Sequence, residues 1–477
     1  MAFAIIFFPL VMALLAFLIR SNRWRPWVLP VTGVVHASLT VVVLSVPTLS
    51  VSSTWLELDP LGRLVLAIVS ALFLVCSFYT VGYLRHREER DNRIFCTCLC
   101  AFLAVLSLVT WAHHLGLMWV AIEATALTTA PLIYFNKTPR SIEATWKFLL
   151  IGSIGIALAL LGSFFLAYSM LNAGLEPSLA FDHLLRQAPL LSKPWLHAGF
   201  VLLLVGYGTK MGLAPMHTWK PDAYGEAPGV VGALMAGGVT SCAFLAILRV
   251  YHICLAAGEG AYISRLLIFL GLFSMVVAGA FMVGQRDFKR MLAYSSVEHM
   301  GILALGLGIG GVAIYGTLLH LVNNAIAKGV LFLSAGNIHR AYGSKTTDVV
   351  SGAMRRLPIS GALFLAGFLA VTGSPPFGPF ISEFSILNAI FTTGHFWVGA
   401  LFLFFLLVVF VGMCVTVLAV VQGPVPAAAR NTPYRDGWLT ALPPLLMMSV
   451  VLLFGLYIPG PLQTLLTDAV HFLEVKP

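Results

Sequence analysis

The chain has 477 residues, 59% of them hydrophobic and 10% charged, with a mean hydropathy of +0.93. This is far outside the range of soluble globular proteins and leaves no soluble domain large enough to house an enzyme. The net charge of +9 is not taken as a sign of nucleic acid, because basic cytoplasmic loops of a membrane protein account for it.

In chain order, apolar stretches of some 20 residues, enough to cross about 30 Å of hydrocarbon, fall near residues 2–19, 27–48, 61–84, 94–112, 115–134, 147–171 and 196–217. They continue at 226–251, 263–283, 290–309, 312–337, 358–394 (interrupted), 397–421 and 438–458. The expected fold is therefore an all-α polytopic membrane protein of fourteen transmembrane helices. The opening run MAFAIIFFPLVMALLAF has no basic leader and no small-x-small cleavage site, so it is expected to remain as the first span.

Alternate loops carry Arg20, Arg23, Arg25; Arg85, Arg87, Arg90, Arg93; Lys137, Arg140, Lys147; Lys220; Arg286, Lys289, Arg290; Arg340, Lys345, Arg355, Arg356; and Arg430, Arg435, a sum of 20. The opposite side holds Arg63, Arg186, Lys193, Arg265 and Lys476. The bias predicts that the basic loops are cytoplasmic and that both termini lie outside, in a cell's inner (cytoplasmic) membrane.

Seven cysteines include Cys96, Cys98 and Cys100, whose i, i+2, i+4 spacing matches neither zinc pairs nor iron–sulfur runs. They read as small apolar fillers. With no phosphate loop, dinucleotide fingerprint or haem-attachment motif, neither a cofactor nor a metal is expected.

Few ionisable side chains remain well inside spans: Glu123, Lys210, Glu298, His299, His320, Lys328 and Glu383. A charge near the bilayer centre costs roughly 2.5 to 3.5 kcal/mol on insertion scales, so each needs a partner, a protein interior or a use. Glu123 has no partner on its own helix. His320, Asn324 and Lys328 recur at i, i+4 and i+8, drifting only about 80° to form one polar stripe. Glu298 and His299 follow Tyr294, Ser295 and Ser296 on the neighbouring span, and histidine is the natural proton relay near neutral pH.

Two spans are broken. Gly212 to Pro215 follows Lys210, and Gly373 to Pro379 precedes Glu383; such breaks are tolerated where a helix lines a cavity. They lie five spans apart, which points to two inverted five-helix repeats, each with one ionisable group at its break. The corresponding organisation is 1–93 for the first three helices, 94–251 and 263–421 for the repeats, and 438–477 for a last helix and tail.

Other polar groups read more plainly. Glu143 and Lys147 form an interfacial i, i+4 pair, His113 and His114 sit at an interface, and Arg249 near a helix end snorkels. Glu298 and Lys328 are open to a structural ion-pair reading as well as a relay. For Glu123 and Lys210 a relay is favoured, since two buried charges are a poor way to gain stability.

The segment GYGTKMGLAPMHTWKPDAYGEAP, Gly206 to Pro228, resembles the antiporter-like membrane subunits of respiratory complex I, Mrp-type cation/proton antiporters and membrane-bound hydrogenases. WVAIE at Trp119 to Glu123, DFKRMLAYSSVEHM at Asp287 to Met300, KGVLFLSAGN at Lys328 to Asn337 and GSPPFGPFISEF at Gly373 to Phe384 extend the resemblance over roughly 94–422. YSSVEHMGIL and TKMGLAPMHTW look most like the F-type membrane component of hydrogenase-4.

The resemblance implies a mid-membrane string in which Glu123 pairs with Lys210, the His320/Lys328 stripe continues the path and Glu383 ends it, with Glu298, His299 and Ser241 in secondary places. Two positions depart from the pattern. Ser241 stands where many relatives carry a bridging lysine, so water around Thr240 and Ser241 would have to stand in. Lys220 stands where relatives tend to be apolar, and is expected to face a cytoplasmic partner or an entry funnel. With about twenty residues past the last predicted span, no long lateral helix of the kind found in some relatives is expected.

The implied function is a non-catalytic, proton- or cation-translocating subunit of a membrane redox complex, a group 4 nickel–iron hydrogenase or complex I-like assembly. Its expected partners are the lipid bilayer, other integral membrane subunits and a peripheral arm with iron–sulfur subunits. The alternatives are a subunit of an Mrp-type antiporter and a non-pumping anchor for a hydrogenase arm.

Overall fold

Apolar runs separated by Pro, Gly and capping residues fold as helices along the chain of the computed structural model, which describes residues 1–46, 53–430 and 432–474. Lys476 and the ends of the stretches placed at 27–48 and 438–477 lie outside the described residues. Within them the extended pairing amounts to isolated bridges.

The first six helices are α1 (Ala2–Leu18), α2 (Val28–Ser45), α3 (Pro60–Arg85), α4 (Arg93–Trp111), α5 (Leu115–Ile133) and α6 (Pro139–Asn172). Their starts follow local chemistry. Asp59 caps α3 by accepting the Gly62 N–H at 2.5 Å, with Pro60 at the first helical position, where its missing N–H costs nothing. Thr138 and Ser141 form a reciprocal capping box at α6.

A short α7 (Phe181–Gln187) leads to α8 (Lys193–Met211), which stops at Gly212 with φ 88°. The chain resumes as α9 (Trp219–Glu226) and α10 (Gly229–Leu234), then passes through a π-helical turn, Met235–Val239, into α11 (Thr240–Ala256). Next come α12 (Gly260–Met282), α13 (Phe288–Ile309) and α14 (Ala313–Tyr342), and the one-turn α15 (Ala353–Arg356). A second interrupted span consists of α16 (Pro358–Val371) and α17 (Gly378–Thr392). The chain closes with α18 (Phe396–Val421), the one-turn α19 (Ala427–Arg430), α20 (Trp438–Leu456) and α21 (Gly460–Glu474).

Eleven helical segments among the described residues are long and apolar enough to cross a membrane, and α1 and α16 are shorter apolar helices. This is a polytopic membrane protein. The segments from Gly229 to Ala256, Phe288 to Ile309 and Ala313 to Tyr342 are almost wholly buried and form the centre. Outer helices such as α18 leave Phe396, Trp397, Leu401 and Phe404 exposed, as helices that face lipid do.

After residue 458 the amino-acid pattern suggests only a tail. The structure has α21 there, burying Leu466, Ala469 and Leu473 at i, i+3 and i+7 while Gln463 and His471 stay outside. It is too short and too polar to stand out as a span, and its amphipathic period is what docks it against α3 and α14.

Candidate functional site

The first polar cluster forms where α8 breaks. Lys210, one residue before the end of α8, is buried and its Nζ donates to Glu123 Oε2 of α5 at 2.9 Å. The Ser153 hydroxyl of α6 donates to the other carboxylate oxygen at 3.4 Å. The ammonium also faces the Phe148 ring, 5.9 Å from its centroid. Room for it comes from Gly152, where a Cβ would stand 3.1 Å from Nζ.

A break frees backbone groups that hydrocarbon cannot satisfy, so side chains take them. Ala214 N–H donates to Ser274 Oγ of α12 at 3.0 Å, the Trp219 indole donates to the Thr209 carbonyl at 2.9 Å, and Lys220 Nζ donates to the Met211 carbonyl at 2.7 Å. Lys220 is fully buried. The expectation that it faces a funnel or a cytoplasmic partner is therefore corrected: α9 folds back into the break and carries Lys220 inward.

The second cluster joins α13, α14 and α17. His320 Nε2 meets His299 Nδ1 at 2.9 Å, and His320 Nδ1 meets Ser382 Oγ at 3.0 Å. Asn323 donates to the same hydroxyl at 3.3 Å. Lys328 Nζ donates to Ser295 Oγ at 2.5 Å. Glu298 and Glu383 are buried, each with one carboxylate oxygen lacking a hydrogen bond, and both Asn324 side-chain atoms are unpaired. Buried polar atoms of this kind are the ones an internal water serves.

Donor atoms of His299, His320 and Glu383 lie within 4.8 Å of one another, a set that suits a cation with imidazole and carboxylate preference. The facing nitrogens of the two histidines are nevertheless close enough to share a proton with each other.

The direct Glu298–Lys328 pair considered from the sequence is not formed, because Lys328 turns to Ser295 instead. At the Ser241 position both hydroxyls are committed to their own helix: Ser241 donates to the Gly237 carbonyl at 2.5 Å and Thr240 to the Ala236 carbonyl. The π-helical turn just before them presents those carbonyls.

Arg249 does not snorkel. It is buried, its Nε 2.8 Å from Asp59 Oδ2, and its other donors hold the Val109, Thr110 and Ala112 carbonyls. Lys147 bonds Glu143 at 2.6 Å, as expected for i, i+4, and also Asp222 of α9 at 2.9 Å. Arg290 reaches Asp222 at 3.2 Å, and these residues line a polar cavity of about 610 Å³ together with Glu226, Asp287 and Lys345. His114 caps α5 by accepting the Gly116 N–H at 3.1 Å, and His113 is buried beside Asp182 at 2.9 Å. Cys96 and Cys100 are buried and free.

Sequence reasoning passed over Ser153 and Ser382, and noted Ser295 in a polar run without pairing it to Lys328. Ser382 had a signal, since it directly precedes Glu383, and Ser295 stands three residues before Glu298. Ser153 had none beyond being a hydroxyl in an apolar helix.

A Lys–Glu pair thus stands at one broken helix, with its lysine buried, and a second ionisable cluster at the other. A family model described as NADH:quinone oxidoreductase/Mrp antiporter, transmembrane, matches residues 112–411. The chain belongs to this family. It is 32% identical over 403 residues to a hydrogenase-4 component F homolog of Methylacidiphilum infernorum, covering 82% of this chain and 83% of that one. It is also 32% identical over 345 residues to NADH-quinone oxidoreductase subunit N of Desulforudis audaxviator, covering 72% and 68%. In fold it is similar to a chain of the membrane-bound sulfane sulfur reductase, an archaeal respiratory membrane complex: TM-score 0.87, 22% identity, 99% of this chain and 97% of that chain. All five mid-membrane candidates, Glu123, Lys210, His320, Lys328 and Glu383, fall inside the stretch that the NADH:quinone oxidoreductase/Mrp antiporter model matches.

Proposed function

We propose that the chain is a proton- or cation-translocating membrane subunit of a multi-subunit redox complex, of the group 4 nickel–iron hydrogenase or complex I-like kind, and is itself non-catalytic. The Glu123–Lys210 pair at a broken helix carries this reading. Counting α1 and each broken helix as one span brings the eleven long helices to fourteen, with inverted repeats over 94–251 and 263–421. The basic loops are then cytoplasmic, both termini face outside, and the membrane is the inner one.

In this mechanism ionised Glu123 holds Lys210 protonated. When the pair separates, the desolvated ammonium gives up its proton, which passes to the His299–His320 and Lys328 cluster and leaves by Glu383. Opening an ion pair at low dielectric is worth several kcal/mol, against roughly 2.3 kcal/mol per charge per 100 mV of membrane potential. Histidines and lysines along the path favour protons over sodium.

The test is purification in mild detergent with identification of partners, combined with Lys210→Ala. Co-purifying iron–sulfur and nickel–iron subunits, and loss of the proton gradient in the variant, are expected. Small cation-antiporter subunits would assign the chain to an Mrp-type assembly instead. A Lys210→Ala variant that still builds a normal gradient would leave a non-pumping anchor.

A further inference from the structure

Lys220 is a buried ammonium with no carboxylate partner among the described residues. A lone charge in that position is costly and calls for a use. Its one hydrogen bond is to the Met211 carbonyl, at the C-terminal end of α8, where the helix dipole favours a cation. Gly212 provides the seat, since a Cβ there would stand 2.7 Å from Nζ.

The neighbours of Lys220 on α9 face the two clusters in opposite directions. Trp219, one residue before it, bonds the carbonyl of Thr209 beside Lys210 and packs on Phe148, the ring under the Lys210 ammonium, at 5.1 Å between centroids. Tyr224, one turn after it, lies under the Lys220 ammonium at 5.6 Å and meets the Phe332 ring at 5.3 Å. Phe332 is one turn beyond Lys328 on α14. The Tyr224 and Ser296 hydroxyls are both buried without a hydrogen-bond partner, and Ser296 adjoins the Ser295 that holds Lys328.

We propose that Lys220 is the relay group joining the Glu123–Lys210 pair to the cluster on α13 and α14. Its Nζ accepts a proton released by Lys210, rests as the ammonium on the Met211 carbonyl, and gives one proton up past Tyr224 and Ser296 toward Lys328. This rests on the translocation reading above. It also gives the cation between the halves a different origin from Ser241, whose hydroxyl is committed to its own helix.

The competing role is a cap for the end of α8, and Lys220→Arg separates the two. Arginine donates to the Met211 carbonyl as well as lysine does but does not release its proton. In the intact complex, the variant is expected to assemble normally on native gels while proton uptake by inverted membrane vesicles falls by about tenfold or more. Wild-type uptake in Lys220→Arg overturns the proposal. Should the larger side chain prevent assembly, Lys220→His and Lys220→Leu decide at matched complex levels: uptake with histidine but not with leucine supports the relay, and equal uptake in the two, high or nil, overturns it. Lys210→Ala keeps the two claims apart. Normal uptake there sinks the translocation reading, whereas a defect there with normal uptake in Lys220→Arg sinks this inference alone.

Discussion

Lys210 and Glu123 stand 2.9 Å apart, yet the lysine side chain is 1% exposed and the carboxylate 24%. The pair is sealed on one side only. The open side is the outer face of α5 and α6, where Val120, Leu127, Leu150 and Ile154 are exposed as well.

Removing one partner should be worse than removing both. Glu123→Gln leaves a buried ammonium without its counter-charge, and for a fully buried pair such a loss costs about 3–5 kcal/mol; the exposed side of Glu123 reduces this. Glu123→Gln is expected to lower the thermal midpoint of the purified complex, and Glu123→Gln with Lys210→Met to recover most of it. Gradient formation should be lost in both. A double variant as unstable as the single one would show that the pair is not coupled.

Gly373 should not tolerate a side chain. Its φ is 65°, and a Cβ would collide with Glu383 Oε2. The backbone strain alone costs roughly 1–2 kcal/mol, and the carboxylate must move. Gly373→Ala is expected to assemble at reduced yield and to pump poorly, as read from native gels and vesicle proton uptake.

Asp59 and Arg249 lock α3 and α4 to α11. Arg249→Leu leaves Asp59 buried without its counter-charge and takes the arginine donors from the Thr110 and Ala112 carbonyls, a loss on the order of 3–5 kcal/mol. The variant is expected to fail in assembly at growth temperature, with proteolysis of the chain as the readout. Normal accumulation would mean that the lock contributes little.

At the start of α12, Glu259 accepts from Lys193 at 2.8 Å and His197 at 2.7 Å, and these bonds, Lys193 first, hold its carboxyl below the ordinary range. A depressed carboxyl contributes stability above the unfolded-state pKa, near about 4.3 for glutamate, and loses it as pH falls through the folded value. Glu259→Gln should therefore lower the melting temperature at pH 6 and converge with the parent in strong acid. A difference that grows on acidification would contradict the sign.

Much of the site was legible because burying a charge in a membrane is so expensive that few sequence positions carry one. That cost singled out seven ionisable residues inside spans, Glu123, Lys210, Glu298, His299, His320, Lys328 and Glu383, and the two breaks showed in their prolines and glycines. Arg249 misled because nearness to a helix end says nothing of whether another helix covers it. Lys220 misled for a related reason: HTWKPDA reads as a loop with a basic residue, and nothing local shows that α9 turns back against the end of α8.

Sequence by itself determined the membrane class, the positions of the long apolar helices and which few ionisable residues fall inside them, since hydropathy and burial cost are properties of single residues and short windows. Beyond the Glu123–Lys210 pair that the resemblance implied and the i, i+4 pair of Glu143 and Lys147, only the tertiary structure decided the partners. Lys328 took Ser295 over Glu298, Arg249 took Asp59, and Lys220 took a carbonyl freed by a helix break. Each choice depends on how helices pack in three dimensions, across 190 residues for Arg249 and Asp59 and across a helix break for Lys220 and Met211, and no local pattern encodes that packing.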